Sequence, residues 1–157
     1  MCLRVLAAAG FGIALGVERQ YRHKPAGLRT HVIVCVAAGL LTTSSLLIGD
    51  RLHAPGEAFR VAAGVITGIG FIGAGTILQT RHAVTGLTTA ATIFMAAAIG
   101  IAVGGGLYYL ALTATGLTLF ATWILRIFDA AIEEEFGEEP LPPRIGRPAS
   151  VRRHPED

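Results

Sequence analysis

Residues 83–125 contain no Asp, Glu, Lys, Arg or His. That run is about twice the roughly 20 residues one helix needs to cross a bilayer. A water-soluble surface cannot be made from it, because the result would be one continuous apolar patch. The rest of the chain agrees, with 52% hydrophobic and 15% charged residues, against roughly 25% charged in soluble domains. Only Glu18, Asp50 and Glu57 are acidic before residue 126, and eight of the 11 acids fall in the last 29 residues. The chain therefore reads as an integral membrane protein. A net charge of +2 with dispersed basic residues excludes a nucleic-acid binder.

Boundaries between spans follow from the charges. Residues 32–49 lie between His31 and Asp50, and residues 61–80 between Arg60 and Arg81. Each is one helix long. The stretch 83–125 accommodates two helices, with Gly104-Gly105-Gly106 as the turn. A shorter apolar segment, Leu3 to Val17, precedes them and carries Arg4, which near a chain end can snorkel to the interface. A signal peptide is the rival reading of this segment; against it, the basic cluster Arg19, Arg22, Lys24 follows the apolar run instead of preceding it. The expectation is an all-α bundle of five transmembrane helices. Loops 18–31 and 79–86 and the tail from 126 hold four, one and five Lys or Arg; loop 49–60 holds two and the Gly turn none. The positive-inside rule then predicts an N-out, C-in topology. Residues 1–128 form the membrane domain, and residues 129–157 a charged, Pro-containing tail expected to be disordered.

Shifting the sequence by 59 positions aligns residues 13–38 with 72–97, with ten of 26 pairs identical. Helices 1–2 and 3–4 read as a parallel two-hairpin repeat, each with an Arg-His pair in its loop and Gly-Leu-Xaa-Thr opening the second helix. Repeats of this kind place sites at their interface in many transporters; duplication is also an easy route to a bundle.

Small residues dominate the spans. Gly12/Gly16, Gly64/Gly68 and Gly100/Gly104 are GxxxG pairs, which permit close helix approach in lipid. Gly70, Gly73 and Gly75 exceed what one packing face requires, so helix 3 is either a packing rod or a broken, cavity-lining segment. Thr85, Thr88 or Thr89, and Thr92 share one face of helix 4, with Gly86 directly after Thr85. They suit helix capping, helix–helix contact or a polar path. Among near-membrane charges, Glu18, Arg19, Arg29, Glu57 and Arg60 are either interfacial anchors or functional groups, and Glu57 is spaced to pair with Arg60. Arg22, Lys24 and Arg81 read as anchors. Cys2 and Cys35 read as packing residues, and the five His lack ligand spacing. No catalytic motif is present and no cofactor is implied.

Four motifs carry a resemblance to a known family: Gly16-Val-Glu18-Arg19; Ala26-Gly27-Leu28-Arg29-Thr30-His31; Arg60-Val-Ala-Ala with Gly68-Ile-Gly70-Phe-Ile-Gly73-Ala-Gly75; and Gly86-Leu87-Thr88-Thr89-Ala90-Ala91-Thr92. In order and spacing over residues 3–128 the chain resembles the MgtC/SapB family of bacterial membrane proteins. It differs at Glu57, Gly64 and Phe94, where the family pattern has aspartate, glutamine and tryptophan. It resembles a short form without the C-terminal cytoplasmic domain of longer members. The resemblance implies a multi-pass inner-membrane protein linked to growth in low magnesium, to intramacrophage survival and to ion or phosphate homeostasis. It implies that some members regulate partner membrane proteins, the ATP synthase among them, while many are labelled magnesium transport proteins. Two roles follow: a non-enzymatic modulator working through helix contacts with other membrane proteins or itself, or a small oligomeric transporter or channel for a cation. The lipid bilayer is a partner in either.

Overall fold

The computed structural model describes residues 1–54, 56–79 and 84–136. Five helices account for nearly all of it: α1 (Cys2–Tyr21), α2 (Leu28–Arg51), α3 (Glu57–Ala74), α4 (Leu87–Gly104) and α5 (Tyr108–Phe136). Three of them, α2, α3 and α4, are long and apolar enough to cross a membrane, and Tyr108–Ile124 forms a shorter apolar stretch of α5. Large apolar side chains such as Leu6, Phe59, Phe71 and Tyr109 point outward. In lipid such exposure costs nothing, and the polar backbone is satisfied within the helices.

The centre is built by close approach, not by bulk. Gly39 of α2 sits between Ala8 of α1 and the Gly100 carbonyl of α4, at 3.0 and 3.3 Å from the position its own Cβ would take. Gly12 and Gly16 let α1 ride on α2: an added Cβ would lie 2.8 Å from Val32 Cα and 2.6 Å from Leu28 Cα. Gly100 meets Cys35 and Ala38, and Gly104 meets Gly39 and Thr42. α1 therefore runs antiparallel to α2, while α4 runs alongside α2 in the same direction. Dispersion between touching backbones holds such seams together, since lipid offers no hydrophobic drive between helices.

Helix α3 behaves differently. Only Ile69 and Gly73 are buried, Gly73 against Ala90 of α4. The helix is unbroken through Gly70 and Gly73 and ends at Ala74, with Gly75 as its C-cap. The expected span to residue 80 is thus shortened: of the alternative unwound, cavity-lining segment over Gly70–Gly75, Gly70 and Gly73 stay helical, and only Gly75, past the helix end, lines a cavity. The chain instead leaves α3 through a turn and makes a two-residue antiparallel ladder, β1 (Leu78–Gln79) against β2 (Val84–Thr85). Ile77 and Leu78 carry no polar group able to extend the helix end, and a ladder satisfies the backbone instead. Thr85 does not cap α4; its hydroxyl donates to the Leu78 carbonyl across the ladder at 3.4 Å, and Gly86 takes the N-cap with φ +89°. Gly64, Gly68 and Gly70 have nothing within 4 Å of an added Cβ. The Gly64/Gly68 pair therefore packs no helix among the described residues, unlike the other two GxxxG pairs.

The helical part of the expected tail, from Asp129, belongs to α5 as far as Phe136. The remainder of that tail, 137–157, lies outside the described residues, as does Arg81.

Candidate functional site

Two helices begin side by side with the same tetrapeptide pattern, Gly27-Leu28-Arg29-Thr30 opening α2 and Gly86-Leu87-Thr88-Thr89 opening α4. Glycine at each N-cap brings no side-chain cap. The first helical bonds are His31 N–H to the Gly27 carbonyl at 3.2 Å and Ala90 N–H to the Gly86 carbonyl at 2.9 Å. The amides one to three residues after each glycine therefore have no intrahelical acceptor. Between these two helix starts and the turn after α3 lies a cavity of about 590 Å³. Thr30, Thr88 and Thr89 line it, together with Lys24, Gly75 and Gly86.

Thr76 and Thr85 also line the cavity, and their hydroxyls donate to the Gly73 and Leu78 carbonyls. Most threonines deeper in the helices are bonded likewise, Thr42 being an exception. Thr67, Thr115 and Thr118 donate to the carbonyl four residues back, and Thr92 and Thr122 to the one three back. That back-bond silences a hydroxyl inside a membrane helix. The hydroxyls of Thr30, Thr88 and Thr89 have no carbonyl partner among the described residues, and Thr89 is only 3% exposed.

α1 ends in an ionic cluster centred on a buried arginine. Arg19, 2% exposed, donates from Nε and Nη2 to the two carboxylate oxygens of Glu18 at 2.5 and 3.0 Å. Arg22 reaches back one turn to the same carboxylate at 2.6 Å and donates from Nη1 to the Thr122 carbonyl of α5 at 2.9 Å. One carboxylate thus serves two guanidinium groups and ties α1 to α5. His31, fully buried, donates from Nδ1 to the Gly27 carbonyl at 2.9 Å. Arg19 Nη1 and His31 Nε2 have no partner among the described residues.

Of the residues expected to matter, the structure gathers Thr30, Thr88, Thr89, Gly75 and Gly86 around the cavity and pairs a half-buried Glu18 with a buried Arg19. Arg29 is exposed. Glu57 and Arg60 do pair, at 3.0 Å, with side chains 43% and 79% exposed. They sit on the open surface and do not face the bundle. Arg22 was expected to be a plain anchor; its position four residues after Glu18 is the signal that places it in the cluster. Lys24, also read as an anchor, lines the cavity. His31 was not singled out, and its spacing of four from Gly27 is the corresponding signal.

A helical, multi-pass membrane domain with a glycine-built core, an arginine–glutamate cluster and a threonine-lined cavity is the class these observations define. The chain belongs to the MgtC family, whose model matches residues 5–131. It is a multi-pass protein of the bacterial inner membrane. It is 44% identical over 128 residues to the putative magnesium transporter YhiD of Escherichia coli, covering 79% of this chain and 58% of that protein. It is 41% identical over 124 residues to the protein MgtC of Salmonella typhimurium, covering 79% and 52%. To MgtC of Brucella abortus it is 44% identical over 116 residues, covering 73% and 47%. The chain spans about half the length of the curated relatives it matches. No solved structure matches it.

Proposed function

We propose that this chain is a non-enzymatic membrane protein of magnesium homeostasis or virulence-related adaptation that modulates partner membrane proteins through the open face of α3. The observation that carries this reading is the contrast between glycine seams. Gly12, Gly16, Gly100 and Gly104 are filled by neighbouring helices, whereas Gly64, Gly68 and Gly70 are open. Gly64 and Gly68 border an apolar groove of about 490 Å³ between α2 and α3. A helix-sized surface of small residues at membrane depth suits another transmembrane helix. The charge distribution supports an N-out, C-in orientation. A photoreactive side chain at residue 64 or 68, expressed in native membranes, should crosslink a second membrane protein, and Gly68→Leu should abolish that adduct together with growth in low magnesium. Adducts only with lipid, with Gly68→Leu growing normally, would overturn the reading.

A second reading is favoured by the threonine-lined cavity and by the name of the YhiD relative. Here the chain handles a small charged solute between the starts of α2 and α4. Flux into liposomes that Thr89→Val reduces, with Thr89→Ser retaining it, supports this role; no flux above empty liposomes removes it.

A further inference from the structure

The wall of the 590 Å³ cavity offers hydrogen-bond donors and positive charge, and no carboxylate among its lining residues. Lys24 supplies an ammonium group. The first turn of α4, an 18-residue helix, supplies backbone amides that no side chain caps, and its macrodipole places partial positive charge at the same point. Thr89, 3% exposed, adds a hydroxyl with no carbonyl to donate to among the described residues, and Thr30 adds another from across the cavity. The acid nearest in sequence to this loop, Glu18, is already shared by Arg19 and Arg22. A bare divalent cation needs the opposite set, since magnesium takes about six oxygen ligands and favours carboxylates.

We propose that this cavity binds an oxyanion, either a free one or the phosphate of a lipid headgroup, held by Lys24, Thr30, Thr89 and the α4 amides. The inference rests on the cavity being a ligand site, and departs from a cation as its occupant. An anion at this point accepts from the amide row and from the buried Thr89 hydroxyl, and meets the charge of Lys24, which stands exposed at the cavity's rim. The cavity is several times larger than one oxyanion, so an esterified group also fits.

The test is the thermal stability of the purified full chain in maltoside detergent, with sodium phosphate, phosphatidylglycerol or magnesium chloride added at matched ionic strength. Phosphate or phosphatidylglycerol should raise Tm by about 3 °C or more, and Thr89→Val should lose that rise while Thr89→Ser keeps it. A rise with phosphate assigns a soluble anion; a rise with the lipid alone assigns a headgroup. An equal rise in wild type and Thr89→Val is general salting-out and overturns the proposal. A rise with magnesium chloride alone, lost in Thr89→Val, overturns the anion and keeps the cavity as a ligand site. No shift with any addition overturns both.

Discussion

Arg4, in the first turn of α1, donates from Nη1 to the carbonyl of Gly104 at the far end of α4, 2.8 Å away. Thr43 of α2 donates to the same oxygen at 3.3 Å. A guanidinium at a helix C-terminus meets both an orphan carbonyl and the negative end of the dipole. Three helices are thereby pinned at the end of the bundle opposite the cavity. Arg4→Met keeps the side-chain volume and removes the charge and the bond. It should lower unfolding stability by about 1–3 kcal/mol, read as the shift of a denaturation midpoint in mixed micelles.

The two classes of glycine seam give opposite expectations. A methyl at Gly16 would sit 2.6 Å from Leu28 Cα, a backbone atom that cannot step aside. Gly16→Ala should destabilise by about 1–3 kcal/mol through overpacking. Gly68→Ala meets open space and improves helix propensity, so stability should change by less than about 0.5 kcal/mol or rise slightly. Parallel thermal melts of the two variants decide this, and equal losses would mean that α3 is packed as tightly as α1.

Much of this architecture is legible in the residues. The charge-free lengths give the helices, and the Gly12/Gly16 pattern gives a close approach that α1 makes to α2. A GxxxG pattern states that backbones can touch, but not whose backbone arrives, so Gly64/Gly68 and Gly12/Gly16 read alike in sequence and differ in structure. The 59-residue register aligns Val17–Tyr21 with Thr76–Thr80, yet the first segment is helix while residues 76–79 form a turn and strand. Glu18, Arg19 and Arg22 bond one another across a helical turn and extend α1; Ile77 and Leu78 have no such partners, and α3 stops. The cavity follows from that early stop, which is a tertiary consequence that no local pattern in Gly70–Gly75 encodes. Thr30, Thr88 and Thr89 were visible as a motif, but that they line one cavity depends on how the starts of α2 and α4 pack.

Glu18 and Glu57 are both acids beside arginines, and burial separates them. Glu18→Gln removes the one negative charge serving Arg19 and Arg22 and leaves a 2% exposed guanidinium uncompensated. A loss of about 3–5 kcal/mol is expected. Adding Arg19→Met to that variant should recover part of the loss, because the stranded charge is then gone. Glu57→Gln breaks a solvent-screened pair and should cost less than about 1 kcal/mol. Chemical denaturation of wild type, Glu18→Gln, Arg19→Met, the double variant and Glu57→Gln measures the difference, and simple additivity of the Glu18 and Arg19 changes would contradict the cluster.

Gly86 and Gly106 both hold positive φ, at +89° and +85°, but their surroundings predict unequal costs. Alanine at either position adds about 1–2 kcal/mol of left-handed strain. At Gly106 the nearest neighbour of an added Cβ is the Arg4 guanidinium at 3.3 Å, the far end of a flexible side chain. At Gly86 the added Cβ runs into the carbonyl of Thr76, backbone of the turn that floors the cavity. That turn has to move, and the start of α4 with it. Gly86→Ala should therefore lower stability well beyond Gly106→Ala and also weaken whatever the cavity binds, whereas Gly106→Ala should leave ligand-induced stabilisation intact. Comparing Tm for both variants, with and without added phosphate or phosphatidylglycerol, reads the two effects separately. Equal losses of stability with undiminished ligand shifts would mean that the Gly86 turn does not form the cavity.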